Sequence, residues 1–129
     1  MLKPTKGRVG HAAVERLAHA IRLSPQNPHI FSMISGIATA HFFAGRYGEA
    51  LVWAKTPLRS KPDIMTSSCV VAASVALSGQ AAEADVSMAV LRRLDPDMRI
   101  SNLEDRFPIS RLQDFARWVD GLRKAGLPE

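Results

Sequence analysis

Residues 38–62 read ATAHFFAGRYGEALVWAKTPLRSKP, and residues 72–96 read AASVALSGQAAEADVSMAVLRRLDP. The two stretches share alanine at their first and thirteenth positions, glycine at the eighth and proline at the last. Each shared residue recurs 34 positions later, as Gly79 does after Gly45. A fixed period of this size is typical of stacked helix pairs, in which each unit buries its apolar face against its neighbours. The repeat therefore predicts an all-α scaffold that binds other molecules.

Helix-ending residues divide the first half of the chain at regular intervals. A first helix is predicted to end near Ser24, before Pro25, and its apolar stripe consists of Val14, Leu17, Ala18 and Ile21. Asn27-Pro28 predicts the start of a second helix, and Gly45 its end. A third helix is predicted from Tyr47 to about Ser60, with a kink or an early end at Pro57.

Capping and helix-ending residues also predict the helix boundaries in the second half of the chain. Asp63 is predicted to cap a fourth helix that closes at Gly79, and a fifth helix stops before Pro96. Two capping boxes are predicted at 101–104 and 110–113, with Ser101 and Ser110 as the capping residues. The last helix is expected to bury Leu112, Phe115, Ala116, Val119 and Leu122. No segment alternates apolar and polar residues for long enough to predict a strand.

Composition limits the class of protein further. The 129 residues are 47% hydrophobic and 22% charged, which fits one folded domain rather than a disordered chain. The lone Cys69 excludes an internal disulfide, and no apolar run is long enough to cross a bilayer. The formal charge of +5 is spread among acidic residues, so nucleic-acid binding is not predicted. We expect a cytoplasmic protein without a membrane partner.

The repeat resembles the tetratricopeptide repeat (TPR), a helix-turn-helix unit of 34 residues. Residues 31–62 supply Ala38, Gly45, Tyr47, Ala50 and Pro62 at the matching places, and 65–96 supply Ala72, Gly79, Ala84 and Pro96. The resemblance implies an α–α superhelix in a single domain over 8–129. Its parts are a half-repeat at 8–25, full repeats at 28–62 and 63–96, and C-terminal capping helices at 101–125. Residues 1–7 are expected to be disordered, and the half-repeat suggests a fragment of a longer protein.

The C-terminal stretch from Asp95 to Pro128 carries a second resemblance. With Asp95-Pro96, Arg106-Phe107-Pro108 and the closing DGLRKAGLP, it is similar to the tail behind the repeats of certain bacterial signalling proteins. Those proteins join a class III adenylate or guanylate cyclase domain, or a winged-helix DNA-binding domain, to a repeat-rich C-terminal half. The resemblance implies a non-catalytic interaction or regulatory module of a cyclase-like parent. The alternatives are the sensor module of a winged-helix regulator and a metal- or ligand-sensing domain.

The same resemblance predicts a partner-binding groove, because the first helices of TPR units line a concave face. The groove residues would be Ser32, Ser35, Thr39, Phe43, Thr66, Cys69, Ala73 and Leu77. They include no lysine or asparagine that could clamp a partner's terminal carboxylate, so an apolar helix or strand is the expected ligand. That ligand could be the chain's own C-terminal helix or a second copy. Homodimerisation is also expected if Val14, Leu17 or Ile21 is exposed.

No residue pattern predicts catalysis or a cofactor. His11, Glu15 and His19 share one face of the first helix and could hold a metal, although a solvated polar face explains them as well. Cys69 lies in an apolar helix and is expected to be an inert thiol. His41 is expected to be half-buried. Trp118 is expected to pack inside, whereas Trp53 could be buried or could be an exposed partner anchor.

Overall fold

The structure is a computed structural model that describes residues 15–16, 18–24 and 27–129. The described chain is all-α, with no strand in those ranges. Residues 18–23 are helical. The helices that follow are α1 (Pro28–Phe43), α2 (Tyr47–Leu58), α3 (Met65–Leu77), α4 (Ala81–Leu94), α5 (Leu103–Arg106) and α6 (Leu112–Ala125), with a 3₁₀ turn at Ile100–Asn102 before α5. Residues 1–14, and with them His11 and Val14, lie outside the described ranges, as does Leu17.

The predicted ends of the first helices are confirmed. The N–H of Ser24 donates to the carbonyl of Ala20 at 3.0 Å, so the first helical segment stops before the proline. The Asn27 side chain accepts the His29 N–H at 3.0 Å, which caps α1 with Pro28 in its first turn. These local signals alone determine where α1 begins.

The two glycines of the repeat have the same backbone conformation. Gly45 has φ = +81° and lies one residue past the C-cap of α1, and Gly79 has φ = +82° and lies one residue past the C-cap of α3. A left-handed residue at this place closes a helix, and only glycine adopts it without a Cβ penalty. Each glycine thus turns the chain from one helix of a pair into the next.

Pro57 ends α2 early, as predicted. The helix stops at Leu58, and the carbonyl of Pro57 accepts N–H groups from Ser60 and Lys61 at 3.1 and 2.9 Å. Because proline has no N–H to donate, the Trp53 carbonyl four residues earlier receives no helical bond from position 57, which weakens this last turn of α2. This turn carries the chain to the start of α3.

Three predicted helix caps are wrong. Ile64 rather than Asp63 is the N-cap of α3, and the Asp63 carboxylate instead accepts a hydrogen bond from Lys61 at 2.9 Å. Neither Ser101 nor Ser110 caps a helix: Asn102 precedes α5, and Arg111 precedes α6 without a side-chain cap. At Asp63, the carboxylate is engaged by Lys61, and α3 begins one residue later than predicted.

The repeated alanines lie at the centre of the core. Ala38, Ala50 and Ala72 are fully buried, and Ala84 is 4% exposed. Consecutive helices pack side by side, and α1 also packs against α3, where the Ser35 and Ser67 hydroxyls meet at 2.7 Å. Residues without long side chains permit this close approach of backbones. The period therefore marks the positions where helices cross.

The predicted apolar face of the last helix is confirmed in part. Leu112 is 85% exposed and Ala116 is exposed, whereas the buried side of α6 is formed by Trp118, Gly121, Leu122 and Ala125. Only Leu122 belongs to both sets, although Phe115 and Val119 are partly buried. The buried side of α6 therefore includes Gly121 and Ala125, small residues that a search for large apolar side chains does not select.

The expected exposure of the first helix is not found at Ile21. This side chain is only 2% exposed and belongs to the core. The other two residues of that prediction, Val14 and Leu17, are outside the part of the chain described. Among described side chains, Leu23 and Met33 are instead the exposed apolar residues in this region, at 73% and 40%.

Candidate functional site

The candidate site is the face formed by α1 and α3, which the sequence predicted as a groove. At its N-terminal end, Ser32 is exposed. Ser35 is buried, and its hydroxyl forms a hydrogen bond with that of Ser67. Thr39 is half-buried and donates its hydroxyl to the Ser35 carbonyl at 2.8 Å. The polar groove residues of α1 are therefore largely committed to bonds within the protein, and Ser32 is the one freely presented to solvent.

Helix α6 covers the other end of this face. Cys69 and Ala73 are fully buried, and Leu77 is half-buried. A Cβ built on Gly121 would lie 2.6 Å from the Ala73 Cβ and 3.3 Å from the Leu77 side chain. The chain's own C-terminal helix thus occupies the groove where the sequence allowed either this helix or a partner.

Trp118 fixes α6 in this position. Its ring lies edge-on to Phe42 at 5.7 Å and to Phe107 at 5.1 Å, and it meets the groove residue Phe43 at 6.0 Å. Trp118 is 1% exposed and Leu122 is fully buried. Exposing large apolar side chains costs roughly 1.5–3 kcal/mol each, so α6 is part of the core and not an easily displaced ligand.

An open cavity remains at the N-terminal end of the face. It measures about 250 Å³, and Pro28, Phe31, Ser32, Ser35, Lys61, Ile64 and Thr66 line it. Phe31 and Ile64 give it an apolar floor, and hydroxyl groups and Lys61 surround that floor. Three predicted groove residues meet here, namely Ser32, Ser35 and Thr66. The structure adds Phe31, Lys61 and Ile64, which sequence reasoning missed because they belong to helix starts and a loop.

The charge beside this cavity is largely neutralised. Lys61 and Asp63 form an ion pair at 2.9 Å, with both side chains more than half exposed. The hydrogen bond from Lys61, followed by its charge, lowers the pKa of Asp63 below its ordinary value. The cavity mouth therefore has no strong preference for an anion, and its recognition rests on shape, apolar contact and hydroxyl groups.

A second opening lies where Phe43 meets the start of α6. It measures about 450 Å³, and Ala40, Phe43, Ala44, Arg111, Gln113, Asp114 and Arg117 line it. Arg111 and Asp114 approach each other to 3.9 Å across one helical turn, and Arg117 donates to the Tyr47 hydroxyl at 3.4 Å. Three of the polar residues at this opening, Arg111, Asp114 and Arg117, are thus engaged in contacts within the protein.

Neither tryptophan is an exposed anchor. Trp118 packs inside, as predicted, and Trp53 is 3% exposed, which decides the question that the sequence left open. The Trp53 ring stacks on His41 at 6.3 Å, and His41 is half-buried, as predicted. Its Nδ1 accepts a hydrogen bond from Arg46 at 2.9 Å. These aromatic residues stabilise the helix pair instead of presenting a binding surface.

The metal-binding interpretation gains no further ligand from the described residues. Glu15 and His19 are exposed, and His11 lies outside the ranges described. Within those ranges no three His, Cys, Asp or Glu side chains are grouped as metal ligands. Burial, followed by the charge of Asp95, raises the pKa of the Cys69 thiol, which favours the inert protonated form over a nucleophilic thiolate.

Several arginines of the C-terminal half are engaged with acidic groups. Arg106 pairs with Asp95 at 2.7 Å, and Arg123 pairs with Glu129 at 2.8 Å.

In the described part of the chain, no helix has the length and apolar character that crossing a bilayer requires. In comparisons with known proteins, the chain matches no family model, no curated protein and no solved structure.

Proposed function

We propose that this chain is a non-catalytic interaction or regulatory module, built as a TPR-type superhelix, that binds a segment of a protein partner. The superhelix is supported by Gly45 and Gly79, which share one conformation 34 positions apart, and by the buried alanines at the same period. Stacked helix pairs of this kind present a continuous inner face. The proposed binding surface is the part of that face formed by the first helices α1 and α3.

The observation that carries the proposal is the division of this face into a filled and an open section. Helix α6 lies on Ala73 and Leu77, and the 250 Å³ cavity follows at Ser32, Ser35 and Thr66. The filled section demonstrates that the face accepts a helix with small and apolar residues. The open section offers the same chemistry, with an apolar floor and hydroxyl groups around it.

The cavity defines the chemistry of the partner. An aliphatic side chain of leucine size would bury itself against Phe31 and Ile64, which is worth about 1.5–3 kcal/mol. The hydroxyl groups of Ser32 and Thr66 at the cavity would bond polar backbone groups beside that side chain. The proposed ligand is therefore a peptide segment with one aliphatic anchor, in helical or extended form.

The parent protein is part of the proposal. The C-terminal resemblance supports a bacterial, cytoplasmic, cyclase-like signalling protein in which this module binds a regulator or a second copy of itself. The coding sequence upstream of Met1 tests this point directly. A class III cyclase domain there would support it, and a winged-helix domain would favour the sensor of a transcriptional regulator.

A peptide-library selection tests the binding function. We expect the wild-type chain to enrich peptides with an aliphatic anchor, and Ser32→Arg to lose them because its side chain blocks the cavity. Ser78→Arg is the matched control, because Ser78 is exposed at the C-terminal end of α3 and does not line the open cavity. If no selected peptide distinguishes the wild type from Ser32→Arg, the open section is not a binding site.

A further inference from the structure

A separate cavity lies between the end of α2, the first half of α3 and the middle of α4. It measures about 210 Å³, and Leu58, Pro62, Ser68, Val71, Ser87, Val90 and Arg93 line it. Leu58, Val71 and Val90 are half-buried, so each presents apolar surface to the space. Apolar cavities of about 150 Å³ are large enough for benzene. This one therefore has room for a short branched aliphatic group.

The cavity is distinct from the inner face. Successive residues of an α-helix are about 100° apart around the axis, so Val71 and Ala73 lie on nearly opposite sides of α3. Ala73 faces Gly121 of α6, whereas Ser68 and Val71 face this cavity. A ligand here would not compete with a peptide at Ser32 and Thr66.

A buried hydroxyl belongs to the cavity wall. Ser68 is only 5% exposed, and its Oγ has no hydrogen-bond partner among the described residues. A buried polar group without a partner costs free energy, and a hydroxyl can both donate and accept. Ser87 brings a second hydroxyl to the same cavity. The Ser68 Oγ has less than 1 Å² of accessible surface, so the Ser87 hydroxyl is the one that an oxygen acceptor on a ligand could reach.

The rim of the cavity carries a cation. Arg93 is exposed in the last turn of α4, and in the part of the chain described it forms no ion pair or side-chain hydrogen bond. Pro62, another lining residue, lies between Lys61 and Asp63 in the sequence, and these two charged side chains pair with each other at 2.9 Å. Among the residues that line the cavity, Arg93 is thus the one charged side chain, and its guanidinium suits a carboxylate.

From this combination we infer that the cavity binds a short aliphatic carboxylate. The branched tail would lie against Leu58, Val71 and Val90, and the carboxylate would lie between Arg93 and the Ser87 hydroxyl. Two sources share this chemistry: a free branched short-chain acid, and the C-terminal leucine or valine of a peptide. The volume limits the tail to roughly six to eight non-hydrogen atoms, by comparison with benzene.

Nitrogen-15 NMR titrations of the whole chain test the inference and separate the two sources. One arm uses 4-methylpentanoate, a second an acetylated tetrapeptide ending in leucine, and a third 4-methylpentanol, which lacks the charge. We expect saturable shifts at Val71, Ser87 and Val90 with one or both carboxylates. The alcohol should bind at least about tenfold more weakly, because a hydrogen bond to a charged group is lost.

Two variants make the result decisive. Arg93→Gln should weaken carboxylate binding by about tenfold or more, whereas Arg59→Gln, the same change 34 positions earlier, should not. Val90→Phe should fill the cavity and abolish binding. Circular dichroism will show whether this variant folds. If it does not fold, the comparison of Arg93→Gln with Arg59→Gln decides. The inference is overturned if neither carboxylate saturates by about 10 mM, or if Arg93→Gln binds as well as the wild type.

Discussion

Gly121 of α6 lies so close to Ala73 of α3 that a Cβ atom on the glycine would stand 2.6 Å from the Ala73 Cβ and 3.1 Å from its Cα. Carbon atoms without a bond between them prefer separations of about 3.5–4.0 Å. The absence of a side chain at position 121 therefore permits α6 to lie directly on the face formed by α1 and α3. This contact closes one section of the face that the repeat would otherwise leave open.

Gly121→Ala should destabilise the protein. Overpacking a core costs typically about 1–3 kcal/mol, and the better helix propensity of alanine returns up to about 1 kcal/mol. Gly36→Ala is the control, because Gly36 lies within α1 and a Cβ there meets nothing within 4 Å. We expect the control to be stabilised by about 0.5–1 kcal/mol. Urea unfolding measures both, and equal stability of the two variants would contradict the close packing.

Trp118→Ala should cost about 3–5 kcal/mol of unfolding free energy, because it removes the ring that Phe42 and Phe107 contact. Leu112→Ala on the same helix should change stability by no more than about 0.5 kcal/mol, since Leu112 is 85% exposed. Denaturant melts followed by circular dichroism compare the two. A small effect of Trp118→Ala would mean that α6 is not part of the cooperative core.

The protein should lose stability in alkaline solution through Cys69. Burial raises the pKa of this thiol, so the folded state keeps its proton while the unfolded thiol ionises near about pH 8.5. The unfolded state then binds fewer protons, and stability falls as the pH rises above that value, by at most about 1.4 kcal/mol per pH unit. Cys69→Ala should remove this part of the slope in urea melts between pH 7 and 10. An unchanged slope would contradict the assignment.

The same thiol should resist modification in the folded protein. A disulfide reagent at pH 8 is expected to label Cys69 slowly in buffer and rapidly in urea, because only unfolding exposes and ionises the sulfur. The absorbance of the released thiolate measures both rates. Equal rates in the two solutions would indicate that α3 opens readily in the native state.

The ion pair of Arg106 and Asp95 gives a prediction at acid pH. The hydrogen bond from Arg106 lowers the pKa of Asp95. The ion pair therefore stabilises the fold at any pH above the pKa of Asp95 in the unfolded state. This stabilisation is lost as the pH falls through the pKa of Asp95 in the folded state. Arg106→Gln should raise the pKa of Asp95 toward its ordinary range. A carboxyl NMR titration measures this shift. Asp63, whose pKa Lys61 lowers, is the internal reference and should not move.

Local signals predicted most of the helix boundaries. The cap at Asn27, the turn glycines Gly45 and Gly79 and the early stop at Pro57 act within a few residues of themselves, so the sequence identifies them directly. The caps expected at Asp63, Ser101 and Ser110 failed for a different reason. A capping side chain can bond other partners, and at Asp63 the nearby Lys61 takes the carboxylate.

Half of the candidate site was visible in the sequence. The repeat register identified Ser32, Ser35 and Thr66, which line the open cavity. It could not reveal Ile64 and Lys61, because a loop residue acquires a position only when the helices on both sides of it pack. It allowed the C-terminal helix as one occupant of the groove but could not decide that this helix covers Ala73 and Leu77, since the contact residue, Gly121, lies far along the chain.

Helix propensity, capping and turn conformation are local properties, so the helical class, the period of 34 and its alanines and glycines follow from the amino-acid sequence. The packing of the helices, in contrast, sets which side of α6 is buried, where the face formed by α1 and α3 stays open and which polar groups remain unbonded. Those features depend on distances between residues such as Gly121 and Ala73, and such distances exist only after the helices have packed.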